Sequence, residues 1–495
     1  MIQCGMLKNR SPQQTELEMV TLESLVPSDH LLRKIDAHID FSFIRDRVEH
    51  LYCLDNGRPA LDPEVLFKIL VIGYLFGIRS ERQLMREIEV NVAYRWFLRL
   101  RLTDKVPDAS TLSQNRRRRF SGSTIYQEIF DEIVLQAMGA DLVDGGTLYT
   151  DSTHLKADAN KNRFDRKVVA KSRADYLDAL DADVAAERAA RGKKPLKDKP
   201  REPVAKETRV SRTDPDSGFM VREGKPDGFH YLDHRTVDGK HSIITDSHVT
   251  PGSVHDSIPY LSRLDRQRER FGFGVTAVGL DAGYMTAGIC KGLEDREIAG
   301  VIGYRRPTHR DGYFYKREYV YDRQLDGYRC PGGQLLGYKT TTREGYREYK
   351  SDPKVCRACP LIDACTQSAN KTKVVTRHIW EDSRERIDAN RLTGWGKRIY
   401  KRRKETVERS FADAKQLHGH RYARLRGIEK VKEQCLLAAA AQNIKKIAII
   451  LARKALLSLI SGLIRLIRDV STPRSGIKPD FPIFRQIAQH IAQKP

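Results

Sequence analysis

The chain has 495 residues, too many for one small core, and 40% of them are hydrophobic, which excludes a disordered tail protein. Lys and Arg (88) outnumber Asp and Glu (65), and the resulting formal charge of +23 favours a polyanionic partner, nucleic acid above all. No apolar run is expected to reach the roughly 18 residues that span a bilayer, and no secretory signal is expected either, so the expected location is the cytoplasm, on the nucleoid, with no membrane partner.

Residues 1–140 read as helical and are expected to form a DNA-binding domain. Asp62-Pro63-Glu64 supplies an N-cap, a proline at the first helical position and an acid in the first turn. It launches Val65 to Leu75, apolar nearly all round, which predicts a central buried helix. Ser80-Glu81-Arg82-Gln83 has capping-box spacing and opens a second helix. Asp108 caps a third, which carries Arg116, Arg117, Arg118 and Arg119. That basic run either lies across DNA phosphates or is an ordinary solvated face. A fourth helix is expected from Ser123 to about Met138.

Between 141 and 304 the pattern turns to that of strands, at 147–151, 228–237, 240–250, 275–281 and 299–304, with Asp238-Gly239 as a hairpin turn. A charged, Ala- and Lys-rich insert at 160–225 predicts a helix followed by a mobile loop. Asp151 ends the first strand and Asp281 the fourth. Residues 305–380 form a Tyr-, Gly- and Arg-rich block with Cys330, Cys356, Cys359 and Cys365. One C-x-x-C knuckle plus two further cysteines fits a closed, structural Cys4 zinc site, which would stabilise an insertion expected to be too small for its own core. The other four cysteines, Cys4, Cys53, Cys290 and Cys435, are scattered and read as free thiols.

Helices resume over 381–450, and an amphipathic helix and loosely held tail are expected over 451–495. The basic stretch Lys401 to Phe411 contains Glu408. On one continuous helix, Lys401, Glu408 and Lys415 would fall on one face with Lys404 beside them. An aspartate at a strand end is usually a turn former, and a lone helical glutamate is usually solvated. In this order, however, Asp151, Asp281 and Glu408 form a set able to hold two Mg2+ ions roughly 3.5–4 Å apart for in-line displacement at phosphorus. Lys401, Lys404 and Lys415 would grip neighbouring phosphates. His154 and His255 are left outside the metal set, and Asp256 is read as a helix cap.

The segments TLYTDSTHLKAD, VGLDAGY and ETVERSFADAK together resemble the DDE transposases of bacterial insertion sequences. The segments GRPALDPEVLFKILVIGYLFGIRSERQLMREIEVNVAYRWFL and DPDSGFMVREGKPDGFHYLDHRTVDGKHSIITDSHVTPGSVHDS extend the likeness over about residues 20–450. The resemblance implies an α/β, ribonuclease H-like mixed sheet flanked by helices, with an all-helical N-terminal domain and a small Cys-rich insertion. It also implies a Mg2+ triad of Asp151, Asp281 and Glu408, a strand-gripping Lys415, and cutting and joining of DNA. The expected partners are double-stranded DNA (terminal inverted repeats and target) and a second copy of the chain on that DNA. The alternatives are a DNA-binding protein without catalysis and a Mg2+-dependent nuclease of the same fold. One departure stands out: related enzymes place a tyrosine and an arginine before the glutamate at fixed spacing, and here those positions are Lys401 and Lys404, with Tyr400 one residue out of register.

Overall fold

In the computed structural model, residues 18–53, 60–170, 176–197, 205–222, 225–306 and 309–471 are described. Cys4 and the tail beyond Ser471 lie outside them. The chain divides into two compact units, one of residues 1–40, 88–106 and 445–495, the other of 41–87 and 107–444.

In the first unit, the helices Leu31–His38 and Val92–Phe97 pack together around Trp96, whose Nε1 donates to Glu23 at 2.5 Å beneath the Arg33 guanidinium. Buried Arg95 donates to the carbonyls of Glu89, Arg101, Leu102 and Asp104.

The second unit holds the sheets. Their strands are β1 (Thr147–Lys156), β2 (Phe164–Ala170), β3 (Ala205–Ser211), β4 (Gly218–Arg222), β5 (Lys225–Asp238), β6 (Ile244–Pro251), β7 (Ala277–Leu280) and β8 (Ala299–Ile302). They continue with β9 (Val320–Asp322), β10 (Gly327–Arg329), β11 (Leu335–Thr341), β12 (Tyr346–Lys350) and β13 (Val374–His378). The main sheet is mixed. Central β1 pairs antiparallel with β5 and parallel with β7, and β7 continues parallel to β8. The far edge of β5 takes β4 and then β6, both antiparallel.

Helices cover this sheet. Val407–Leu417 lies against β1 and β5, Tyr260–Phe271 against β6, and Glu381–Asn390 and Gly394–Arg402 against β8. On the side of Val407–Leu417, Leu155, Phe229, Tyr231, Val249, Val431 and Cys435 form one buried cluster. Each large aliphatic or aromatic side chain so buried stabilises by about 1.5–3 kcal/mol.

The N-terminal helices follow their capping chemistry. Asp62 caps Pro63–Leu75, accepting from the Glu64 amide at 2.8 Å, and eleven of its thirteen residues are buried, as a helix apolar all round requires. Asp108 caps Ala109–Arg118 in the same way.

Several expectations are corrected. β1 runs five residues past Asp151, because β5 continues to pair with it after β7 has ended. In the charged insert the expected helix is Leu177–Ala190, which buries Leu180 and Val184 against Trp380; the antiparallel pair β2 and β3 was not expected, and the loop expected after the helix lies partly outside the described residues. Glu187 of that helix pairs with Arg347 at 2.7 Å. The cysteine-bearing block does have its own core, since β9 to β13 form a five-stranded antiparallel sheet around buried Tyr319, Tyr328, Leu336, Tyr349 and Val375. Tyrosines make this possible because each brings a large apolar ring and a hydroxyl that can be satisfied, as Tyr321 and Tyr349 do on Asp326 at 2.7 and 2.8 Å.

The expectation about apolar runs also changes. Ile428–Ser471 is one helix of 44 residues, and its stretch Ile428–Arg465 is long and apolar enough by composition to cross a membrane, with an 18-residue window of mean hydropathy 2.0 that is 11% buried. Its first part is core, with Val431, Leu436 and Ile444 buried, while Leu456, Leu457, Leu459 and Leu463 are exposed.

Candidate active site

The register of β1 and β7 decides where two of the acids stand. Thr150 and Leu280 are the last residues paired between these parallel strands. Asp151 and Asp281 are the next residue on each, so they leave adjacent strands side by side, at a strand spacing of about 4.8 Å. Asp151 stays in β1, opposite Arg235 of β5. Asp281 enters the turn Ala282–Tyr284, where its carbonyl accepts from the Tyr284 amide at 3.0 Å.

The third acid is brought in by a break in the helical run. Gly394–Arg402 and Val407–Leu417 are separate helices, and the chain turns between them through Thr406, whose φ is −103° and ψ −96°. This corrects the single-face alignment of Lys401, Glu408 and Lys415. Only Glu408 and Lys415 share a helix, and Lys401 and Lys404 are exposed. The residue of this turn that faces inward is Arg403, which the sequence had not singled out, with Tyr400 beside it.

Arg403 is the hub of the site. Its Nη2 lies 2.7 Å from Asp151 Oδ2, and its Nη1 lies 3.8 Å from Asp281 Oδ1 and 3.7 Å from Glu408 Oε1. Three acids separated by up to 257 positions in the sequence thus surround one guanidinium. The arginine side chain is 3% exposed, whereas Asp281 and Glu408 are 52% and 45% exposed. The result is a bowl with a cationic floor and an acidic rim open to solvent. Tyr400 flanks the floor, its hydroxyl 3.5 Å from Arg403 Nη1. Gly303 permits this approach, because a Cβ there would lie 2.6 Å from the Tyr400 hydroxyl and 2.9 Å from the Ala282 amide nitrogen. The intact Tyr-x-x-Arg spacing of Tyr400 and Arg403 was the signal in the sequence.

Behind the bowl, Arg235 and Asp233 lie on the same face of β5, two residues apart and both fully buried. Arg235 Nε donates to Asp233 Oδ2 at 2.8 Å, and Arg235 Nη1 donates to Ser410 Oγ at 3.3 Å on the helix that carries Glu408. Its guanidinium also sits 5.1 Å from the centre of the Phe411 ring. Asp233 accepts from Ser247 Oγ at 3.1 Å and meets His420 Nε2 at 2.9 Å. Burial alone would raise the Asp233 carboxyl; Arg235, His420 and Ser247 hold it well below the usual range instead.

Cys435 completes a buried group with Asp233 and His420 whose ligand atoms lie within 4.8 Å of one another. That chemistry suits a metal, but Arg235 already neutralises the carboxylate there, and burial holds the Cys435 thiol well above its usual value and so protonated.

Asp256 is not a helix cap. It accepts from Ser152 Oγ at 2.7 Å, one residue from Asp151, and the following helix starts at Tyr260.

The cysteines behave differently. Cys330, Cys356, Cys359 and Cys365 all line one cavity of about 90 Å3. A Cβ on Gly332 would lie 3.7 Å from both Cys330 Sγ and Cys359 Sγ, so those thiols converge on a shared point. Cys365 Sγ is 3.2 Å from the Tyr319 hydroxyl. Among the described residues no three cysteine sulfurs come within 4.8 Å of one another, so the four surround the cavity without closing on it.

The arginine run divides. Arg116 is turned inward, 2.8 Å from Glu81 and 2.7 Å from Glu433, which corrects its reading as a DNA contact: it ties the helix to the core. Arg119 stacks over Tyr52 at 3.9 Å, and Arg117 and Arg118 are exposed.

Two family models match this chain, a transposase domain (DUF772) over residues 20–118 and a transposase DDE domain over residues 329–448. The two matched segments together span 219 of the 495 residues. Asp151 and Asp281 lie between the two matched segments, and Glu408 lies inside the second. Solved structures similar to this chain include the piggyBac transposase synaptic complex with hairpin DNA, at 11% identity and a TM-score of 0.30, covering 94% of this chain and 83% of that one. A Mos1 transposase paired-end complex with left transposon end matches at 12% identity and TM-score 0.15, and a Mos1 mariner paired-end complex with Mn at 14% and 0.16. Each Mos1 match covers 52% of this chain and 64% of the other. No curated protein matches.

Proposed function

We propose that this chain is a transposase that cuts the ends of a bacterial insertion sequence and joins them to target DNA by metal-dependent in-line phosphoryl transfer, on a ribonuclease H-like catalytic domain. The observation that carries the reading is the contact of Asp151, Asp281 and Glu408 with one guanidinium. A buried cation ringed by three carboxylates marks a place where negative charge is concentrated and must be balanced, which suits divalent ions. Asp151, Asp281 and Glu408 would hold two Mg2+, which when bound activate the attacking oxygen and neutralise charge on the leaving one. Arg403 supplies counter-charge to Asp151 and fixes its orientation. The open rim of Asp281 and Glu408 leaves room for a phosphodiester, and Lys415, Lys404, Lys401, Arg117 and Arg118 are placed in the reading as phosphate contacts. In the joining step the freed 3′-hydroxyl oxygen forms a bond to the target phosphorus while the target's own P–O bond breaks. The mixed sheet with acids on adjacent strands supports the fold assignment. Two element ends must be brought together, which favours a homodimer on DNA, in the cytoplasm with the nucleoid.

The test uses the purified full-length protein, Mg2+, a labelled duplex bearing the inverted repeat that flanks the gene, and a plasmid target. Label joined to plasmid is the expected result. Cutting without joining would mark a nuclease, and retention of the duplex without either would mark a binding protein; both overturn the proposal.

The pH dependence has a predictable sign. Burial pushes the Asp151 carboxyl up to about 6, with Asp281 and Asp256 adding to it against Arg403 and the Ser152 amide. Below that pH the group carries a proton and is a poor cation ligand. At sub-saturating Mg2+, joining is expected to rise with pH through about 6, and more Mg2+ should move the midpoint down. Rate profiles at two Mg2+ concentrations check this, and a flat profile contradicts it.

The four cysteines are proposed to hold one structural zinc, which would draw their sulfurs inward around the cavity they already share. Full-length protein is expected to contain about one zinc per chain by metal analysis, and Cys356→Ser to lose it and melt earlier. Zinc content unchanged by that substitution overturns the assignment.

A further inference from the structure

Of the three tryptophans, Trp96 and Trp380 are buried, at 8% and 6% exposure, and donate their indole N–H groups to Glu23 and Asp183. Trp395 is different. It is 40% exposed, and its N–H has no partner among the described residues. It lines a concave groove with Arg398, Ile399 and Arg402, which follow it at helical spacing on one face of Gly394–Arg402. Buried Tyr149 and Ile399 give the groove an apolar floor, and Lys240 lines its far side.

The helix that presents Trp395 is firmly seated. Thr393 Oγ1 caps it, accepting from the Gly396 amide at 2.9 Å, and a Cβ on Gly396 would lie 2.0 Å from the Asn390 carbonyl oxygen, so only glycine lets the turn close. At the other end, Arg402 donates to the Gly239 and Lys240 carbonyls. Arg398 is exposed and has no ion pair among the described residues. The one acid in the lining, Asp144, has Oδ1 engaged by the Gly146 amide at 2.9 Å.

An exposed indole face beside an uncommitted guanidinium, over an apolar floor, recognises a flat ring attached to an anion. On a chain this basic, that is a nucleotide. A base inside a duplex keeps both faces stacked on its neighbours, so the groove selects an unpaired one. Trp395 lies five residues before Tyr400, about 7.5 Å along the helix axis and about 140° around it, while Tyr149 of the groove floor stands two residues from Asp151 on the same face of β1.

We propose that this groove is a stacking subsite for an unpaired nucleotide of the DNA strand next to the reacting phosphate, with the base on Trp395 and the phosphate on Arg398. The inference rests on the DNA-processing reading given above.

Its test compares the full-length protein with two duplexes of identical sequence, one blunt and one with a short oligothymidine overhang, by tryptophan fluorescence and binding titration. The overhang should quench fluorescence saturably in the wild type. Trp395→Ala should weaken binding of the overhang duplex about tenfold and leave the blunt duplex unchanged. Trp395→Phe should keep affinity within about threefold while losing the quench. Arg398→Ala should lower the salt slope by about one. Equal affinity of Trp395→Ala and wild type for the overhang duplex, or equal losses on both duplexes, overturns the subsite and leaves the transposase reading standing. A wild type that binds neither duplex overturns both.

Discussion

Exchanging Glu408 for glutamine is expected to lower strand joining by at least about a hundredfold while DNA retention and melting temperature stay near those of the wild type. The two side chains have nearly the same shape, so packing is unchanged. What is lost is one negative charge from the acidic rim. Glu408 is half-exposed and 3.7 Å from Arg403, and an ion pair so open to solvent contributes little to folding, about 0–1 kcal/mol. Activity and stability should therefore separate cleanly. A gel assay of joined product, a band-shift titration and a thermal melt on the same preparations measure all three. A Glu408→Gln protein that joins strands within a few-fold of the wild-type rate would remove Glu408 from the site.

Arg235→Ala should behave in the opposite way, costing about 3–5 kcal/mol of stability. The substitution leaves Asp233 fully buried without its main counter-charge and takes a donor from Ser410. It also opens space under the Phe411 ring. Removing one member of a buried pair is far costlier than removing both, because the remaining charge has no compensation. The double variant Asp233→Leu, Arg235→Leu is therefore expected to recover a large part of the loss. Urea denaturation of the two variants and the wild type gives the comparison. A loss under about 1 kcal/mol for Arg235→Ala would show that this network does not hold the glutamate helix in place.

The sequence was most legible where structure is set by near neighbours. Asp62-Pro63-Glu64 and Asp108 cap the helices they were read as capping, because the side-chain oxygen and the amide it accepts from are only two residues apart. The strand at β7 was recognisable from its buried apolar run, and Asp281 stands just past its end. What failed was set at long range or by a local break without the usual markers. The length of β1 depends on β5, some 80 residues later, and the two partners of Arg116 lie 35 and 317 positions away. The turn through Arg403, Lys404, Glu405 and Thr406 contains no glycine or proline, so helical periodicity was read straight through it. The cation singled out there was Lys404, whereas the one that meets the acids is Arg403. In the charged insert, alternation was hidden because Val168 and Val169 of β2 are both exposed and carry no core signal.

Cation titration tests the acidic bowl itself, independently of DNA. Mn2+ added to full-length protein and followed by electron paramagnetic resonance reports bound ion directly. Sites shared by Asp151, Asp281 and Glu408 should be filled in the wild type and weakened by at least about tenfold in each of Asp151→Asn, Asp281→Asn and Glu408→Gln. Undiminished Mn2+ binding in any one of these variants would mean that its acid does not belong to the set, and undiminished binding in all three would mean that this bowl holds no cation.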